Sequence, residues 1–276
     1  MQQSSTHAKP NTYLTLAIAI SLLLIGYFFS IRGINQDVVR YDEQTTLGHI
    51  GALDDNGLSL SETIQSLQTT STQHPPLYFL IANIWGRLAS YTVFSQRLLS
   101  VLISMLALAS VYRFARDLGG AQVASYTLFI NATSVLYVFY THDLRQYMVL
   151  MLCVSIMLLM YHRLAHSTTP LKLSHLALLS LTALGAIYAH YSALFVLVPI
   201  GVYHLLFAPK NRAWLQISVA MLVAGLFFTP WIPTVIEGKL EVDQLTEDNQ
   251  IEVFSNQEVA QEAVIYWGNG EPAIFF

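Results

Sequence analysis

Asp42 and Glu43 form an adjacent carboxylate pair in Tyr41-Asp42-Glu43, a few residues beyond a long apolar run, and His74, Arg97, Asp143 and Arg145 fall near the ends of later apolar runs. A carboxylate within hydrogen-bond reach of a hydroxyl can take its proton as that hydroxyl attacks, and Asp42 is the candidate for this task. Glu43 is read with it as a catalytic carboxylate that orients the base or a substrate hydroxyl; a solvated helix cap is the plainer reading of the pair. A planar guanidinium grips an anion through two parallel N–H donors, which suits Arg145, with His74 and Arg97 assisting. Asp143 and Arg145 stand two apart in Thr141-His142-Asp143-Leu144-Arg145-Gln146-Tyr147. Ionisable groups beside hydrocarbon are costly, so these two are either functional or a snorkelling helix anchor paired with its own acid. His190, between Ala189 and Tyr191, reads more readily as an interfacial structural residue.

The elements that must position these residues are membrane helices. Apolar residues make up 54% of the chain, charged residues 11%, and mean hydropathy is +0.49, which excludes an ordinary soluble domain. A spanning helix needs roughly 20 apolar residues, because the hydrocarbon core is about 30 Å thick and a helix rises about 1.5 Å per residue. Stretches of this kind fall at 13–31, 96–115, 121–140, 146–164, 172–189, 192–208 and 213–231. The fold class expected is an all-α polytopic membrane protein with about seven transmembrane helices. The domains expected are a cytoplasmic tail at 1–12, a transmembrane body at 13–231 with its first external loop at 32–95, and a polar segment at 232–276. The first span is too long for a signal-peptide core and is read as a retained anchor.

Residues 77–91 are apolar but short and broken by Asn83, Gly86 and Arg87, so they are expected to lie along the surface as a juxtamembrane helix, with Pro75 and Pro76 in its first turn. Charge asymmetry supports this. With 77–91 off the membrane, Lys9, Arg113, Arg116, Arg163, Lys172, Lys210 and Arg212 share one side with only Asp117 as an acid, and that side reads as cytoplasmic. Asp42, Glu43, His74, Arg87, Arg97, Asp143, Arg145 and His190 then gather on the other side. The net charge of −4 argues against a nucleic-acid partner, and Cys153 has no partner for a disulfide.

Tyr41-Asp42-Glu43, His74-Pro75-Pro76-Leu77-Tyr78-Phe79, Gln96-Arg97-Leu98-Leu99-Ser100, Asp143-Leu144-Arg145-Gln146-Tyr147 and Pro230-Trp231-Ile232-Pro233 occur in that order with spans between them. In this the chain resembles the N-terminal half of the C-type glycosyltransferase superfamily, nearest to the branch of protein O-mannosyltransferases and lipid A aminoarabinose transferases. The resemblance implies a glycosyltransferase, hexosyl or pentosyl, that inverts a sugar taken from a polyprenyl-monophosphate donor onto a lipid, glycan or protein acceptor. It implies Asp42 as the catalytic carboxylate with Glu43 beside it, and His74 near the donor phosphate, with Arg145 and Arg97 as the further donors to that phosphate. Asp143 and Arg145 stand for the family's Glu-x-Arg, with Asp replacing Glu. Tyr78, Tyr147 and His190 are supporting residues within or beside these motifs. The location implied is a bacterial cytoplasmic membrane with the site facing outside.

No metal and no cofactor are expected, because the acids are adjacent rather than Asp-x-Asp and a basic set is at hand; convergence of ligands from different loops leaves a divalent ion open. No Gly-rich phosphate loop occurs. Two other classes stay open: a non-catalytic subunit that binds a lipid carrier, and a transporter or flippase of lipid-linked sugars, although a transporter tends to place its ionisable groups at mid-span. Members of the family are generally longer, and this chain stops at Ala273-Ile274-Phe275-Phe276 inside a fresh apolar stretch, so a fragment or a shortened member is expected, with the acidic tract Glu237 to Glu262 an external loop.

Overall fold

A computed structural model describes residues 12–36, 38–54 and 57–247. Among the described residues every regular element is helical. In chain order they are α1 (Thr12–Ile31), α2 (Tyr41–His49), α3 (Leu60–Thr70), α4 (Leu77–Leu88), α5 (Val93–Thr133), α6 (Val135–His142), α7 (Tyr147–Ala165), α8 (Leu173–Ala189), α9 (Leu194–Leu206), α10 (Arg212–Phe228) and α11 (Ile232–Glu247). Four helical stretches are long and apolar enough to cross a membrane, at Tyr13–Ile31, Val93–Thr133, Tyr147–Ala165 and Arg212–Leu240. Leu77–Leu88, Leu173–Ala189 and Tyr191–Leu206 are apolar but shorter. Contacts divide the chain after Trp231, so α11 belongs to a second unit.

Local chemistry explains where the apolar runs break. Gly120 adopts φ 79°, ψ −172°, a conformation that costs a residue with a Cβ dearly, and it splits α5 between the stretches expected at 96–115 and 121–140. The second of these stretches is interrupted again at Ser134. Its backbone is extended and its Oγ accepts from Tyr137 N at 3.4 Å, capping α6. A bare hydropathy window averages over such a cap, which is why the sequence reads one continuous run there. Gly26 lets α1 lie close on α5: a Cβ at this position would come within 3.1 Å of Leu108 and 3.2 Å of Ala132.

Between α1 and α5 the chain folds into a compact cap of helices α2 to α4. Ser59 and Glu62 form a reciprocal capping box at the start of α3. Asn83, fully buried on α4, donates to Leu58 O at 2.8 Å and to Ile50 O and Thr63 Oγ1 at 3.2 Å, and accepts from Arg87 Nε at 3.0 Å. The Asn83-Gly86-Arg87 interruption that makes this run look weak as a span is thus its attachment to the preceding loop. The twelve residues of α4 span about 18 Å, well under the roughly 30 Å hydrocarbon core. Gln96 Nε2 donates to Ala82 O and Ser90 O, both at 3.3 Å, tying α4 to the start of α5. The expected N-terminal tail, the middle of the turn at Asp54-Asp55-Asn56-Gly57, most of the acidic tract and the apolar end at 273–276 lie outside the described residues.

Candidate active site

The site is held by a buried ion pair. Glu43, in the first turn of α2, is 0% exposed, and Arg97 in the first turns of α5 is 1% exposed. Arg97 Nε and Nη2 donate to Glu43 Oε1 and Oε2 at 3.2 and 2.8 Å, and its Nη1 donates to Ile34 O at 3.0 Å. Glu43 also accepts from Arg40 N at 3.0 Å and from Leu144 N at 3.1 Å. One carboxylate thereby caps α2, anchors it to α5 and pins the segment between α6 and α7. Two-pronged geometry with every oxygen occupied is what a buried pair needs to offset the loss of hydration.

Asp42, the next residue back, has the opposite surroundings. Its side chain is 64% exposed and lies 4.0 Å from Arg145 Nη1, whose own side chain is 7% exposed. Arg145 Nη1 also donates to Asp42 O at 3.4 Å, and Nη2 donates to His74 Nε2 at 3.2 Å. That contact makes His74 Nε2 the acceptor and places the ring proton on Nδ1. Among the described residues, the buried Arg145 Nε and His74 Nδ1 have no hydrogen-bond partner. Burial, then the Arg145 charge, then His190 and His49 push the His74 imidazole down to about 4, so it is neutral near neutral pH. A weakly paired guanidinium with one unused N–H of its own, beside a second unused N–H on His74, is a site able to receive an anion.

Asp143 pairs with Arg40. Its Oδ1 lies 2.9 Å from Arg40 Nη2, an ion pair without hydrogen-bond alignment. Burial raises its carboxyl to about 6, with Glu43 and Asp42 adding to the rise and Arg40 and Arg145 opposing it. Tyr78 is buried on α4 against Phe79, and Tyr147 opens α7 with its ring 4.7 Å from Tyr140 and 6.1 Å from His190. His190 Nδ1 accepts from Ser192 N at 3.0 Å, capping the turn before α9. The sequence-predicted set therefore divides: Asp42, His74 and Arg145 come together, Glu43 and Arg97 lock to each other behind them, and Asp143, Tyr147 and His190 line the flanks.

Three residues escaped the sequence reading. His49 bridges Ser66 Oγ and Ser71 Oγ, both at 2.8 Å, and so fastens α2 to α3 beside Phe79. Gln146 is 1% exposed with neither end of its amide partnered among the described residues. Arg40 stacks on Phe139 at 4.5 Å while pairing with Asp143. Only Arg40 carried a legible signal, a cation one residue before the Tyr41-Asp42-Glu43 motif.

Residues 73–236 match the model of the dolichyl-phosphate-mannose-protein mannosyltransferase family, more than half of the chain. No curated protein and no solved structure matches it. The matched segment starts one residue before His74 and leaves Asp42 and Glu43 outside, but the Glu43–Arg97 and Asp42–Arg145 contacts bind helix α2 to it. With its membrane-length apolar helices and this match, the chain belongs to the dolichyl-phosphate-mannose-protein mannosyltransferase family of membrane glycosyltransferases.

Proposed function

We propose that this protein moves a sugar from a polyprenyl-monophosphate donor to an acceptor hydroxyl, with inversion, on the outer side of a bacterial cytoplasmic membrane. The observation that carries the reading is Arg145: a nearly buried guanidinium that touches Asp42 at 4.0 Å and His74 at 3.2 Å while its Nε stays unpartnered. An exposed carboxylate, a cation short of counter-charge and a neutral ring donor within one cluster are the parts that phosphate departure and hydroxyl attack require.

In this reading the acceptor oxygen attacks the anomeric carbon from the face opposite the phosphate while Asp42 takes its proton. The bond between the anomeric carbon and the phosphate oxygen breaks, and its electron pair leaves with polyprenyl phosphate. Arg145, with its forked donors, and His74, through Nδ1–H, stabilise that developing charge in a partly dehydrated site. Glu43 and Arg97 serve here as scaffold rather than as direct participants, since each is occupied by the other.

The topology proposed has seven spans, with the two halves of α5 counted separately, α6 completing the second half, and α2 to α4 capping the outer surface. One grouping of charge supports it: Arg163 Nε pairs with Asp117 at 2.6 Å and Arg113 with the same acid at 3.4 Å, so two of the basic residues read as cytoplasmic share the one acid placed on that side. In this reading Arg145 supplies the positive charge that a metal would otherwise bring to the leaving phosphate, and the neutral His74 adds a hydrogen-bond donor.

Transfer assays with lipid-linked and nucleotide-linked donors side by side test this. Arg145→Ala should lower kcat/KM for the lipid-linked donor by roughly tenfold to a hundredfold, the loss of one charge-assisted interaction of about 1.5–3 kcal/mol. Arg145→Lys should recover part of it, and chelation of divalent ions should leave the wild type active. Preference for a nucleotide sugar, or loss of transfer on chelation with recovery on adding manganese, overturns the reading.

A further inference from the structure

The motif Pro230-Trp231-Ile232-Pro233 takes no part in the chemistry above, yet its tryptophan is buried and ends on a polar contact. Trp231 Nε1 donates to Tyr191 Oη at 3.0 Å, and Tyr191 Oη donates to Thr72 O at 3.4 Å. An indole N–H can only donate, so the phenol oxygen accepts from it and turns its own proton to the carbonyl. Thr72 is buried and stands two residues before His74. Two 3₁₀ turns carry the relay, Thr229–Trp231 after α10 and Tyr191–Ala193 between α8 and α9, and His190 Nδ1 closes the second by accepting from Ser192 N.

The loop reached in this way is the one that presents His74. It is closed by His74 N donating to Ser71 O at 2.9 Å. Helix α2 fastens it through His49 Nε2 and Ser71 Oγ at 2.8 Å, and Tyr191 fastens it again at the next residue, Thr72. Two positions further on, His74 Nε2 accepts from Arg145 Nη2 at 3.2 Å. A second tyrosine shows that packing alone does not demand the relay. Tyr188 shares the aromatic cluster, with its ring 5.1 Å from Phe228 and 6.4 Å from Trp231, but its hydroxyl donates to Phe227 O at 3.1 Å and not to the loop.

We propose that Tyr191 and Trp231 are positioning residues, whose relayed hydrogen bonds to Thr72 hold His74 against Arg145. The catalytic meaning of this clamp rests on the transfer reading above, to which it adds a role for the Pro230-Trp231-Ile232-Pro233 motif. Neither side chain touches the reacting atoms; both act through the loop. At 3.4 Å the Tyr191 contact is long, and the clamp at His49 remains when it is cut. The expected effect of removing it is therefore a factor of about three, near the lower end for a single neutral hydrogen bond.

Two readouts on the full chain, purified from the membrane, test the proposal. Deuterium exchange at the imidazole C2 position against pH, read by peptide mass spectrometry, follows His74 directly. Burial, then the Arg145, His190 and His49 charges, hold its titration down to about 4, and a loosened loop admits water and draws the ring from Arg145. Tyr191→Phe and Trp231→Phe should each raise the His74 midpoint by about half a pH unit, the same factor of about three on a proton equilibrium, while Tyr188→Phe leaves it in place. Wild-type midpoints in both variants, or an equal rise in Tyr188→Phe, overturn the proposal. In transfer, Tyr191→Phe should lower kcat/KM for the lipid-linked donor about threefold, and this loss should disappear in a His74→Ala background. A loss of the same size with and without His74 means that Tyr191 acts elsewhere, and overturns it too. A wild type that transfers no sugar from a polyprenyl-phosphate donor, but whose His74 midpoint responds as stated, sinks the transfer reading and leaves the clamp standing.

Discussion

Glu43 and Asp42 are neighbours in one helical turn, yet Glu43 is fully buried with both oxygens occupied, whereas Asp42 stands 64% exposed at 4.0 Å from a cation. The same contrast separates their arginines: Arg97 is gripped by two prongs, and Arg145 is left with an unpartnered Nε. Protein groups saturate one pair and leave the other open. A saturated buried pair resists change and fixes geometry; an unsaturated one beside it is ready to interact with something that is not protein.

The strongest way to break this comparison is at the saturated pair. Arg97→Ala leaves Glu43 buried without its counter-charge, which typically costs about 3–5 kcal/mol. The expected outcome is loss of most folded protein from the membrane, read as monodisperse yield in detergent. An Arg97→Ala protein that folds at wild-type yield, but no longer binds polyprenyl phosphate, would place Arg97 in the donor site after all.

A smaller effect sharpens the comparison at Asp143. Burial raises its folded pKa to about 6 from an unfolded value of about 3.9, so the folded state binds the proton more tightly and stability falls as pH rises between those values. His74, lowered to about 4, contributes the opposite slope, between about 4 and about 6.5, but does so in wild type and variant alike. Asp143→Asn has no such titration. Its melting temperature relative to wild type should therefore rise by roughly 2–4 °C on going from about pH 4.5 to about pH 7. A flat difference, or a fall, contradicts a buried Asp143 with a raised pKa.

Much of this architecture was legible in the sequence, for physical reasons that can be named. Helices α1, α7, α8 and α10 follow from runs of apolar side chains, and the break at Gly120 follows from the one residue type that tolerates its backbone. The short, interrupted run at 77–91 was expected to lie along the surface, and the helix there is twelve residues long. Convergence of Asp42, His74 and Arg145 was anticipated from motif order. The difference in burial between Asp42 and Glu43 was not, because adjacent carboxylates look alike until the arginine from α5 selects one of them. Arg40 and His49 were missed for a related reason: the pairings of Arg40 with Asp143 and of His49 with Ser66 and Ser71 join residues far apart along the chain, and spacing does not reveal them.

The most direct measurement is therefore made on the two neighbours together: transfer rate per folded molecule for Asp42→Asn and Glu43→Gln, each purified from the membrane and quantified by monodisperse yield. Asp42→Asn should fold at close to wild-type yield and lose roughly 10²–10⁴-fold in transfer, the typical worth of a general base. Glu43→Gln should lose yield heavily, since Arg97 is left buried without a full counter-charge, while the molecules that do fold keep most of their activity. The reverse pattern, an active Asp42→Asn protein beside a well-folded but inactive Glu43→Gln protein, would assign the chemistry to the buried carboxylate and contradict the account.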